Sequence, residues 1–81
     1  MVFCFVSLKE HGKERVLEFE GLVANSGRVT ECLHIAGNFD FMLKVFAKNV
    51  DDYYDFVLNE LSEIKNIGNV QSSFVLGKLK Y

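Results

Sequence analysis

The order of elements along the chain predicts an α+β sandwich: a ferredoxin-like βαββαβ fold with a four-stranded antiparallel sheet carrying two helices on one face. Three observations carry that expectation. Hydrophobic periodicity alternates between strand-like and helix-like spacing in the order strand, helix, strand, strand, helix, strand. The breaks between segments are short, about three to six residues, as connections in compact domains usually are. No proline interrupts any segment, so the split βαβ arrangement is the natural solution for this order.

The elements follow in turn. Val2–Leu8 is apolar at almost every position and reads as a strand covered on both faces. Residues 9–13 (KEHGK) are a polar break. Over residues 14–24 the period lengthens: Val16, Phe19, Leu22 and Val23 recur at helical spacing between Glu14, Arg15, Glu18 and Glu20, the mark of an amphipathic helix. Asn25, Ser26 and Gly27 stop it, Asn and Gly being the residues that accept a left-handed terminus.

Residues 28–36 alternate, with Val29, Glu31, Leu33 and Ile35 on one face and Thr30, Cys32, His34 and Ala36 on the other. Gly37-Asn38-Phe39-Asp40 is turn chemistry, with Gly and Asn expected to supply positive φ angles and Asp to accept backbone hydrogen bonds. Residues 41–48 alternate again, completing a β-hairpin. Asn49 suits an N-cap, and Asp51 and Asp52 fall in the first turn, where the helix dipole favours negative charge. Tyr53, Phe56, Val57, Leu61 and Ile64 mark the buried stripe of the second helix. Residues 65–69 (KNIGN) are a break, and residues 70–81 a long final strand.

Composition narrows the function classes. The chain has 81 residues, enough for one domain over 1–81, yet 49% of them are hydrophobic and 14% aromatic. A domain of that size hides only roughly 60–65% of the surface its unfolded chain exposes. The strands carry apolar residues on both faces: Phe3 and Phe5 against Cys4 and Val6, Met42 and Phe46 against Leu43 and Val45, Phe74 and Leu76 against Val75. Helices cover one face alone, so the other would leave Phe3, Phe5, Met42 and Phe46, or the alternating set, in water. A homodimer joined through the sheets is expected.

Other classes are disfavoured. Charged residues are only 25% of the chain, which excludes disorder. The longest unbroken apolar stretch covers residues 1–6, far short of the roughly 18–20 needed to span a bilayer, so no membrane association is expected. The N-terminus reads as the start of a strand with no basic leader, which predicts a cytoplasmic address. A net charge of −2 argues against this chain gripping nucleic acid alone. The third strand also lacks the basic Gly-aromatic opening of RNA-binding βαββαβ domains.

Catalytic and metal chemistry finds little purchase. Cys4 and Cys32 have no C-x-x-C spacing, and the expected strand order puts the third strand between them. Both read as buried structural thiols. His11 reads as a solvated turn residue and His34 as a sheet-face residue, neither beside a nucleophile. Asp51, Asp52 and Asp55 read as capping and solvation. No catalytic residue, metal site or cofactor is expected. The tip Gly37–Asp40 has two readings: a plain turn, or a small-molecule site in which a carboxylate takes an ammonium and neighbouring N–H groups take an acid.

Specific residues now point to a family. Val29-Thr30-Glu31-Cys32, followed by His34-Ile35-Ala36-Gly37-Asn38-Phe39-Asp40-Phe41-Met42-Leu43-Lys44-Val45, resembles the effector domain of Lrp/AsnC-type (feast/famine) transcription regulators. Residues 5–9 (FVSLK) and 72–81 (SSFVLGKLKY) are similar to that family's first and last strands. The resemblance spans essentially the whole chain and is most specific at the Gly-x-x-Asp hairpin.

It implies a domain that pairs through its sheets into dimers, which assemble further into octameric rings or discs. It implies binding of a small effector, usually an amino acid, in a cleft between dimers that includes the hairpin turn. By position, Gly37, Asn38, Phe39 and Asp40 would line that site, with Asp40 facing the ligand ammonium, and Ser72 would join them. Asn38 stands where Asp is common and Phe39 where Tyr is common, which removes a charge and a hydroxyl. No helix-turn-helix precedes the first strand, so DNA would be met only through a separate or removed N-terminal domain. Two other classes share the architecture: a dimeric α+β barrel monooxygenase, with His34 as its nearest catalytic candidate, and an ACT-like amino-acid-binding domain.

Overall fold

A computed structural model describes residues 1–80. The elements are β1 (Val2–Leu8), α1 (Lys13–Ala24), β2 (Val29–His34), β3 (Phe41–Val45), α2 (Val50–Asn59), a single 3-10 turn (Leu61–Glu63) and β4 (Ile67–Phe74). The four strands form one antiparallel sheet in the order β2-β3-β1-β4. This is the predicted ferredoxin-like topology, and it follows from the lengths. The α1 crossover carries the chain from β1 to the edge strand β2, the hairpin brings β3 back between them, and the α2 crossover places β4 on the other side of β1.

The core lies between the sheet and the helices. β1 alternates strictly, burying Val2, Cys4, Val6 and Leu8, and β3 buries Phe41, Leu43 and Val45. The helices answer with Phe19 and Val23 from α1, Tyr53 and Phe56 from α2, and Leu61 from the 3-10 turn. Phe19 meets Phe41 with ring centroids 4.7 Å apart; each such buried side chain contributes about 1.5–3 kcal/mol. Tyr53 carries the layer's polar group, its hydroxyl bonded to the Ser72 hydroxyl on β4. Burial pushes the phenol well above its usual range, so it stays neutral.

The opposite face of the sheet has no helix. Phe3, Phe5 and Met42 point into it half-buried, Leu33 joins them from β2, and Phe39 lays its ring against Phe5 (5.9 Å between centroids). A Lys44–Glu31 ion pair at 3.2 Å lies on the same face. On β4 this face carries Asn69, Gln71 and Ser73, so the apolar area is confined to three strands instead of four. Phe74, expected to contribute to a two-sided strand, turns instead to the helix side, edge-on to Tyr53.

Several boundaries differ from the periodicity. Asn25 ends α1 in a right-handed conformation, with the Ser26 N–H on the Val23 carbonyl; among the described residues only Gly37 has a positive φ, so neither Asn25 nor Gly27 acts as a left-handed cap. Leu22, expected in the buried stripe, is nearly half exposed. β2 carries a bulge between Val29 and Glu31, which brings Val29 to the core side with Cys32 and His34 instead of beside Glu31. β4 begins at Ile67, not residue 70, because a second irregularity at Gly68 absorbs the Gly-Asn pair within the strand. It ends at Phe74, not Tyr81, the latter lying outside the described residues.

Cys4 and Cys32 flank Leu43 on either side of β3 and are both free thiols. Cys4 is buried as expected. Cys32 is exposed, because β2 is an edge strand that the helices reach poorly. No helix among the described residues is long and apolar enough to cross a membrane.

Candidate functional site

The hairpin turn is built around one glycine and one aspartate. Gly37 has φ +143°, a region that side chains rarely enter, with open space where a Cβ would sit. Its requirement is therefore one of backbone conformation, not of packing. Asn38, expected to share that role, stays at negative φ. Asp40 closes the turn with both backbone groups: its carbonyl accepts the Ile35 N–H and its N–H donates to Val6, each at 2.9 Å. The N–H groups of Gly37, Asn38 and Phe39 have no partner among the described residues.

The Asp40 carboxylate is tied down on one side. Its Oδ2 accepts the Leu8 N–H at 2.8 Å and lies 2.9 Å from His11 Nε2. The Leu8 N–H first, then the hydrogen bond and charge of His11 with a lesser effect of His34, hold the carboxyl below its usual range against the opposing effect of burial. Asp40 is thus an anion at neutral pH, and Oδ1 has no hydrogen-bond partner among the described residues. One oxygen is structural and the other is available.

His11 reaches this place because its segment is clamped. Asn66 accepts the Lys9 N–H on its carbonyl (2.7 Å) and the Glu10 N–H on its side chain (2.9 Å), and its amide donates back to the Glu10 carbonyl (3.1 Å). Neither His11 nor Asn66 was legible as part of the site. Their partners lie 29 and 56 positions away, and the only local signal was a histidine beside a glycine in a polar break.

Gly37, Asn38, Phe39 and Asp40 therefore share one turn, with Phe39 facing the bare sheet surface and Asp40 facing the end of β1. Ser72 is not brought to them. It lies on β4, paired with Cys4 of β1 and on the far side of β1 from the hairpin, and faces Tyr53. His34 stacks on the Phe41 ring at 4.6 Å. A recess of about 120 Å³ elsewhere lies between the helices, lined by Leu22, Val23, Phe56 and Leu61 with Ser26 bonded to Glu60 at its edge.

The family model described as the Lrp/AsnC ligand binding domain matches residues 1–81. The chain belongs to the Lrp/AsnC family. Among relatives, the leucine-responsive regulatory protein of Rhizobium meliloti (strain 1021) is 29% identical over 80 residues, covering 99% of this chain and 51% of that protein. The Bkd operon transcriptional regulator of Pseudomonas aeruginosa is 31% identical over 75 residues, covering 93% and 49%. Among solved structures, a transcriptional regulator from Neisseria meningitidis in complex with L-Met superposes with a TM-score of 0.88 at 29% identity, covering 99% of this chain and 51% of that one. The chain spans about half the length of the curated relatives it matches. Family membership makes it a ligand-binding domain of the kind found in transcriptional regulators.

Proposed function

We propose that this Lrp/AsnC domain senses a small zwitterion, an amino acid, at the Gly37–Asp40 turn and acts as the regulatory and oligomerisation module of a transcription regulator. The observation that carries the reading is the Asp40 carboxylate, anionic and with Oδ1 open, beside the unpartnered N–H groups of residues 37–39. An ammonium on Oδ1 and a carboxylate on the N–H groups would satisfy both ends of one ligand. The L-Met complex of the Neisseria meningitidis relative supports an amino acid as the class.

A single chain leaves Gly37 and Asn38 exposed, so enclosing a ligand takes further copies. Pairing through the bare face of Phe3, Phe5 and Met42 gives a homodimer, and assembly of dimers, up to an octamer, closes the cleft around the turn. Ser72 is the more remote contributor. DNA contact belongs to a separate N-terminal domain, as the doubled length of the relatives suggests, and the setting is cytoplasmic.

The test is light scattering after size exclusion, combined with thermal melts, against each of the twenty amino acids. A ligand at ten times its Kd stabilises by about 1.4 kcal/mol, a rise in Tm of roughly 6–11 °C for a domain of this size. The expected result is a dimer or larger, stabilised by at least one amino acid, with the stabilisation lost in Asp40→Asn. A monomer at micromolar concentration that no amino acid moves would sink the reading.

A further inference from the structure

Asp40 already holds a cation-capable group of the chain itself. His11 Nε2 sits 2.9 Å from Oδ2, and the imidazole is well exposed, at 61% against 27% for the carboxylate. Three hydrogen bonds with Asn66, two accepted and one donated, fix the backbone just before it, at Lys9 and Glu10. The backbone that presents the imidazole to Asp40 is therefore held in place by the fold. We propose that His11 is a built-in competitor for the ammonium group of the ligand at Asp40, making capture weaker when the imidazole is protonated.

The electrostatics of the pair give the direction. An imidazolium beside Asp40 cancels the carboxylate charge and repels an ammonium approaching Oδ1. A neutral imidazole still donates from Nε2 to Oδ2 but leaves the charge for the ligand. Histidine as a residue type changes charge within the physiological range, so the pair is compared at two pH values on either side of it. Other charged groups near the pair do not replace it. His34 acts on Asp40 only through space. Glu10 and Arg15 are paired with each other at 3.2 Å, and Arg15 also with Glu18. Lys9 and Lys13 have no ion-pair partner among the described residues.

This inference rests on the amino-acid reading of the turn, and the experiment separates the two. Binding of the twenty amino acids is measured by thermal shift and calorimetry at pH 5.5 and pH 8 for the wild type, His11→Gln and Asp40→Asn, with circular dichroism confirming that all three fold. The expected result is that wild-type affinity for the bound amino acid falls by about two- to fivefold more than that of His11→Gln between pH 8 and pH 5.5, the scale of one exposed charge pair. Binding seen in His11→Gln but absent from the wild type at both pH values would overturn a competition that depends on charge. If wild type and His11→Gln share one pH dependence while Asp40→Asn loses binding, the competitor role is overturned and the turn reading stands. If no amino acid binds any variant at either pH, both are overturned.

Discussion

Asp40 joins two strands and a histidine through one carboxylate oxygen, and its energetics follow from which partner dominates. The Leu8 N–H is the foremost cause of its lowered pKa and does not itself titrate. A carboxyl depressed in the folded state adds stability that is fully present above the unfolded value, about 3.9, and is lost as pH falls through the lower folded value. Asp40→Asn keeps an oxygen for the Leu8 N–H but loses its charge, so at pH 7 it should cost about 1 kcal/mol. Urea unfolding should show that gap closing as pH falls from the unfolded value through the lower folded one. A gap independent of pH would mean that charge plays no part. Local residue types made Asp40 legible in the sequence, since a Gly-x-x-Asp turn places a carboxylate at a predictable spot. His11 and Asn66 were not legible, because nothing in the spacing of nearby residues records which distant strand end they will meet.

At the scale of elements, the helices and the cap of α2 were readable and the irregularities of the strands were not. Asn49 accepts the Asp52 N–H at 2.8 Å, and Asp52 in turn accepts the Lys48 N–H at 3.0 Å, so each satisfies an orphan donor near the start of α2. Asp52 also meets Arg28 at 3.2 Å, and that guanidinium reaches Asp55 at 3.0 Å, fastening the start of β2 to α2. The cap was visible because its partner lies three residues away. The bulges in β2 and β4 were not, because a period of two is blind to one inserted residue until the partner strand fixes the register. Asn49→Ala should lower stability by about 1 kcal/mol, and Asn49→Asp should restore most of it. Thermal unfolding of the two variants checks this; an equal loss in both would show that the amide does something other than cap.

For the whole molecule, the decisive quantity is apolar surface that the fold does not cover. Two surfaces compete for the assembly role. One is the bare sheet face, where Phe3, Phe5, Leu33 and Met42 converge and Phe39 extends the patch to the hairpin turn. The other is the outer side of α2, where Val50, Tyr54 and Leu58 are exposed at four-residue spacing. The sheet face is broader and built on rigid strands, while the helix stripe is one residue wide. Phe39 also joins the sheet face to the turn, since the residue next to it is Asp40, so under the proposed function a ligand there would be coupled to assembly. Phe5→Glu, placing a charge at the centre of that face, should therefore shift the light-scattering mass to that of a single chain while circular dichroism stays native. Leu58→Glu on the helix stripe should leave the dimer intact. The reverse pattern would move the primary interface to the helices and remove the coupling through Phe39.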